Sequence, residues 1–376
     1  MAISAAGIIF SSLNDNTLSR LTSDRTVSAI PFACRYRLVD FCLSNLVNAN
    51  ISNINIVANY NYRSLMDHIG SGKDWDLARR AGGINLISPY KTAKSATAKM
   101  FSTRMEALIN IQDYINEIKE DYVVLMDSDN VLNISITDVL ETHAASGAAM
   151  TLVTHRINSE YTSKHDRMMI SADNGVIKDI SMGSKYLESN PYLCLNIFVM
   201  STLYLRKLIE EASAYKESSL TTLIFKNYKT SLYKTYEYGG YVASVSSFLD
   251  YYKCSMELAK NSNARLSLLQ KKDNPIFTRV HNSAPVTYLN NAKIRNSMIA
   301  DGCVIDGTVE NCVIFRNVRI ERGAVVKNSV LFSGTVISKN ASLNAIVTDK
   351  DVYVTEGVNL SGHDNMPFYI QKGRKV

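Results

Sequence analysis

None of the six cysteines stands in a C-x-x-C pair, and none alternates with the six histidines at zinc-ligand spacing. Neither a structural zinc site nor a redox dithiol is therefore expected. Cys34, Cys42, Cys194, Cys254, Cys303 and Cys312 read instead as small apolar residues of a reduced protein. A basic head is also missing: MAISAAGIIFSSLN carries no positive side chain before Arg20, which argues against a secretory signal. No run approaches the roughly 20 apolar residues that a bilayer span needs. Basic residues exceed acidic ones only mildly, 41 to 35, and are not gathered in runs, so the charge fits small anionic ligands as readily as nucleic acid. Neither a nucleic-acid nor a membrane partner is expected, and a cytoplasmic location is. Signs of disorder or of a fibrous repeat are absent too, and 376 residues with 46% hydrophobic content suffice for a large core and a second domain.

Short apolar runs at 5–10, 54–58, 84–87, 122–126 and 150–154, mostly rich in Val and Ile, read as buried strands. Between them Leu38, Cys42, Leu46 and Ala49 recur at helical spacing, as do Met105, Leu108, Ile109, Gln112 and Ile115, and again Val139, Leu140 and His143. This alternation predicts an α/β domain whose mostly parallel sheet carries helices on both faces and binds ligands at the carboxyl ends of its strands. Asp173-Asn174-Gly175 predicts a hairpin turn, because Asn-Gly accepts the positive φ angles a tight turn requires. Helices are expected over 203–212 and 248–261, and the domain is expected to close in the polar run Lys260-Asn261-Ser262-Asn263.

From about His281 the pattern changes. Ile294, Ile299, Ile305, Val309, Ile314, Ile320, Val326, Leu331, Ile337 and Leu343 recur every four to six residues, with Gly302, Gly307, Gly323 and Gly334 between them. Such hexapeptide-type spacing predicts a parallel β-helix, with glycine and asparagine at the corners and the apolar residues stacked inside. The expected organisation is a domain over 1–262, a linker over 263–280 and a repeat domain over 281–376.

Residues 36–77, YRLVDFCLSNLVNANISNINIVANYNYRSLMDHIGSGKDWDL, closely resemble the segment that follows the nucleotide loop in bacterial ADP-glucose pyrophosphorylases. Those enzymes join ATP and glucose-1-phosphate, and the resemblance extends over nearly the whole chain. It implies a Rossmann-like, GT-A-like nucleotidyltransferase domain with a mixed sheet, followed by a left-handed parallel β-helix. The same alignment implies that the chemistry has been removed. Where the family reads G-G-x-G-x-R, Ser12, Leu13 and Asp15 stand at the glycines and Thr17 at the arginine. Where it reads R-A-K-P-A-V-P-F, Arg25 is kept and Val27 replaces the phosphate lysine.

Two carboxylates hold the metal in the family. The first, in G-D-H, corresponds to Asp129 of Asp127-Ser128-Asp129-Asn130, where two aspartates at a strand's end by themselves resemble a Mg²⁺ site. The second, in W-R-D-V-G-T, corresponds to Ser244, which supplies no anionic ligand. The sugar-phosphate lysine of E-K-P falls on Gly183, and G-T-A-D appears as Thr103-Arg104-Met105-Glu106. Asp129 is thus expected to be vestigial, with no catalytic residue, metal or cofactor at work.

What remains resembles the non-catalytic regulatory subunits of that family. The resemblance implies a catalytic ADP-glucose pyrophosphorylase subunit as partner, in a heterotetramer, and phosphorylated glycolytic effectors bound near Arg25, Arg35 and Arg37, whose forks grip phosphate well. Asp24 departs from members with a lysine there. Lys372, Arg374 and Lys375 are expected to form a frayed basic tail, and His68 to pack at a helix end. The alternatives are a divergent, Mg²⁺-using nucleotidyltransferase with phosphate contacts rebuilt from Arg35, Arg104 or Lys99, and a stand-alone sugar-phosphate sensor. His281 and His363, near the ends of the repeat domain, are candidates for an acyltransferase base, but the β-helix is short for that.

Overall fold

The computed structural model describes residues 3–11, 17–79, 82–88, 101–157, 167–183 and 191–376. Ser12, Leu13, Asp15 and Lys99 lie outside them. The main sheet has nine strands: β1 (Ala5–Phe10), β2 (Asn53–Val57), β3 (Gly83–Ile87), β4 (Tyr122–Asp127), β5 (Met150–Arg156), β6 (Met168–Asp173), β7 (Val176–Met182), β8 (Tyr192–Ser201) and β9 (Tyr233–Glu237). Their spatial order is β3-β2-β1-β4-β8-β5-β9-β7-β6. The first four are parallel, but β8 runs antiparallel to both β4 and β5, and β6–β7 form the expected hairpin at Asn174. The sheet is therefore mixed, where strand–helix alternation alone predicts a mostly parallel one.

Helices α1 (Ser19–Thr22), α2 (Leu38–Asn48), α3 (Arg63–Ile69), α4 (Arg104–Asn110), α5 (Gln112–Glu117), α6 (Ile136–Ser146), α7 (Thr202–Tyr215), α8 (Leu220–Asn227), α9 (Phe248–Lys260) and α10 (Ser262–Leu269) follow in chain order. Because β1 alternates, Ala6, Ile8 and Phe10 face a core built with α4, α5, α7 and α8, while Ala5 and Ile9 face one built with α2, α3 and α6. Gly7 lets α2 approach: a Cβ there would lie 2.7 Å from Leu46 Cδ1. Among the described residues, no helix is long and apolar enough to cross a membrane.

Helix α10 occupies the start of the segment expected as linker, with Ala264 and Leu268 buried. The extended connection runs instead from Gln270 to the first repeat strand at Thr287–Tyr288. It is fastened to α2 rather than loose. The Phe277 amide donates to Ser44 Oγ at 2.8 Å, Asn48 to the Pro275 carbonyl at 2.9 Å, and Thr278 to Asp40 Oδ2 at 2.5 Å.

The repeats form a left-handed parallel β-helix with three five-stranded faces. Asn296, Asn311 and Asn328 take the positive φ of one corner, and Gly302, Asn317, Gly334 and Asp351 of another. One face, carrying Val313, Phe315, Val330, Phe332 and Val347, packs on the first domain. Aromatic rings run through this junction, from Phe41 to Phe32 (6.0 Å), Tyr251 (6.2 Å), Phe332 (6.2 Å) and Phe315 (5.0 Å). The C-terminal tail, expected to fray, pairs with the last coil: the Tyr353 amide donates to the Arg374 carbonyl at 2.9 Å, and the Val376 amide to Tyr353 at 3.0 Å.

Candidate functional site

The parallel strands deliver Asp127 to the carboxyl end of β4, the place where an open α/β sheet presents its ligand cleft. A cavity of about 200 Å³ opens there, lined by Thr17, Arg104, Asp129, Arg167, Asn196 and Ser246, among others. Arg104, the first residue of α4, reaches across to Asp127. Its Nε donates to Oδ1 at 2.9 Å and Oδ2 at 3.1 Å, and its Nη2 closes on Oδ2 as well. The guanidinium lies 6.0 Å from the centre of the Phe198 ring. Burial works against its charge, but Asp127 and then Asp129 more than offset that, and the Arg104 proton is held more tightly than usual.

Ser244 ends a short strand, Val242–Ser244, paired with Asn130–Leu132. Its hydroxyl donates to Asn130 Oδ1 at 2.7 Å, and Asn130 donates to Asp129 Oδ1 at 3.1 Å. These residues do not fit a divalent ion. Asp127 is covered by a guanidinium, Asp129 at the first family position accepts from Asn130, the second family carboxylate is a neutral hydroxyl, and the described residues hold no group of three or more His, Cys, Asp or Glu suited to a metal. Thr17 lines the cleft, whereas Val27 sits in the junction core, and Gly183 closes on the Arg167 carbonyl at 3.0 Å. Arg167 also donates to Ser246 Oγ, a contact that carries no motif in the sequence.

Arg25, Arg35 and Arg37, expected together as phosphate forks, stand in three different settings. Arg25 is 3% exposed and its Nη2 pairs with Asp349 Oδ1 at 2.7 Å, so this fork is already occupied across the domain junction. Tyr369 donates to the other oxygen of Asp349 at 2.7 Å, and the Lys350 amide donates to Oδ1 at 2.7 Å. Arg35 is exposed at the junction, its carbonyl accepting from Arg316 at 3.2 Å. Arg37 donates to the Ser64 carbonyl at 2.6 Å, and burial lowers its pKa to about 10 despite Asp40.

Lys350, which no sequence pattern singles out, joins this cluster. Burial, with Arg37 and Arg25 adding repulsion, pushes its ammonium down to about 8. A groove of about 990 Å³ separates Ser19, Arg20 and Asp24 from His363, Tyr369 and Lys372 of the last coil. His68 packs as expected at the end of α3: Nε2 lies 2.6 Å from Asp40 Oδ1, and its ring meets Trp75 edge-on at 5.8 Å.

Comparison with known proteins follows the same division. A family described as Nucleotidyl transferase matches residues 7–179, and one described as GlmU-like, C-terminal hexapeptide matches 284–367. The chain is 32% identical over 371 residues to the glycogen biosynthesis protein GlgD of Bacillus subtilis, covering 98% of this chain and 95% of that one. It is 25% identical over 355 residues to the glucose-1-phosphate adenylyltransferase of Bacillus thuringiensis, covering 93% and 92%. The Fervidobacterium nodosum glucose-1-phosphate adenylyltransferase is 27% identical over 361 residues, covering 95% and 86%.

Proposed function

Since this chain belongs to the family of GlgD and the glucose-1-phosphate adenylyltransferases, we propose that it is a regulatory, non-catalytic subunit of glucose-1-phosphate adenylyltransferase in bacterial glycogen synthesis. The observation that carries this reading is the state of the cleft. Ser244 stands where the second metal carboxylate is needed, and its hydroxyl is engaged by Asn130. With Val27 and Gly183 at the lysine positions, the charge that builds up on a transferring adenylyl group is met by neither family lysine. A divergent enzyme with contacts rebuilt from Arg35 and Arg104 is disfavoured, because Arg104 is paired with Asp127.

Regulation in this reading passes through the domain junction. Arg37, Lys350 and Lys372 repel one another there, Lys372 lines an open groove, and a phosphorylated glycolytic effector would supply the charge they lack. The partner is the catalytic subunit, in a cytoplasmic heterotetramer. The test mixes the purified chain with that subunit, ATP, glucose-1-phosphate and Mg²⁺. Alone it is expected to form almost no ADP-glucose; in the mixture it is expected to alter turnover or effector response. Robust turnover alone would sink the proposal, and absence of a mixed oligomer on size exclusion would favour a stand-alone sensor.

A further inference from the structure

The reading above rests on groups the cleft has lost; a group it has gained points elsewhere. Asp127 is 4% exposed, at the end of a central strand, where an unpaired carboxylate is costly to bury. The Arg104 guanidinium covers both of its oxygens through Nε and Nη2. The two residues are 23 positions apart, one at the start of α4 and one at the end of β4, so the pair ties a helix to the sheet across the mouth of the cleft. Among the described residues, Arg104, Arg167 and Asp129 line one small cavity, and Asp127 lies against Arg104.

A divalent ion in this place would have to reach carboxylate oxygen at about 2.0–2.1 Å and keep several waters. Arg104 fills that approach at Asp127, and Asn130 donates to Oδ1 of Asp129 beside it. We infer that Arg104 is the resident counter-ion of the cleft, a fixed side-chain cation in place of a divalent one, so that the folded state of this domain neither takes up nor needs Mg²⁺. Arginine suits the role because it stays charged at every physiological pH and forks onto a carboxylate in a fixed geometry. The cleft then persists as a structural joint after its reaction has gone.

Thermal unfolding of the full chain with EDTA or millimolar Mg²⁺, alongside Mn²⁺ titration read by electron paramagnetic resonance, tests this. The wild type is expected to melt at the same temperature in both conditions and to bind no stoichiometric Mn²⁺. Arg104→Ala should melt several degrees lower and recover part of the loss with Mg²⁺ or Mn²⁺, but not with NaCl at equal ionic strength. Adding Asp127→Asn should abolish that recovery. If Arg104→Ala does not fold, Arg104→Met keeps the side-chain stem and allows the same comparison. Stoichiometric Mn²⁺ uptake or EDTA sensitivity in the wild type would overturn the inference, as would an Arg104 variant indifferent to divalent ions. None of these results bears on the mixed-subunit assay, so the two ideas fail separately.

Discussion

Replacing Asp349 by alanine should be among the most damaging single changes in the chain. Asp349 is 1% exposed and receives the Arg25 guanidinium at 2.7 Å, the Tyr369 hydroxyl at 2.7 Å and the Lys350 amide at 2.7 Å. Its removal strands a buried guanidinium that is 3% exposed, together with two donors. Breaking a buried pair from one side costs roughly 3–5 kcal/mol, because the remaining charge has lost its counter-ion without regaining water. Urea titration provides the assay, followed by circular dichroism and by fluorescence of the single tryptophan, Trp75, which is buried in the first domain. Asp349 lies in the repeat domain, so a matching shift in the Trp75 signal would show that the junction unfolds with the domain it braces. Arg25→Met combined with Asp349→Leu should recover most of the loss, since removing both charges leaves neither buried alone. A cost within about 1 kcal/mol for Asp349→Ala, the value of an exposed pair, would refute the argument.

Lys350 holds its proton less tightly folded, at about 8, than unfolded, near 10.5, so its contribution to stability should rise as pH climbs between those values. Binding of inorganic phosphate or a sugar bisphosphate at the junction should weaken as pH rises through about 8, and calorimetry should find that dependence lost in Lys350→Met. Gly334 has φ +77°, and a Cβ there would lie 2.3 Å from Asp351 Oδ1; Gly334→Ala should cost roughly 1–3 kcal/mol in urea titration. Restoring one carboxylate by Ser244→Asp should yield no pyrophosphate release above background, because Val27 and Gly183 still stand at the lysine positions and each missing phosphate contact is worth a few kcal/mol.

Elements with local periodicity were legible before any coordinates. Strand β1 falls on 5–10 as read, and Ile305, Val309, Ile314, Ile320, Val326, Leu331, Ile337 and Leu343 all point into the β-helix. Ile294 is the exception at 40% exposed, because it lies in the first coil with no coil stacked beyond it. At Ser262, where the domain was expected to close, a helix begins instead. The polar run there is a helix cap, in which the Asn261 side chain accepts from the Asn263 and Ala264 amides and starts α10. Partners distant in sequence were not legible. Arg25 stood out, but its partner is 324 residues away in a repeat where one aspartate carries no signal. Arg104 carried a sequence signal only as a phosphate contact of the alternative enzyme, and its partner Asp127 lies 23 residues away.

The connection between the domains is a strut. Its hydrogen bonds to Ser44, Asn48 and Asp40 lay it along α2, and Asp40 in turn holds His68 and the Arg37 amide at 2.9 Å. A tilt of the β-helix therefore cannot be absorbed as slack in a tether. It bears on a helix that packs on the sheet at Leu46 and meets the cleft strand at Cys42, whose thiol donates to the Asp127 carbonyl at 3.6 Å. Helix α2 thus forms a continuous line of contacts from the inter-domain connection to the end of the strand where the cleft begins.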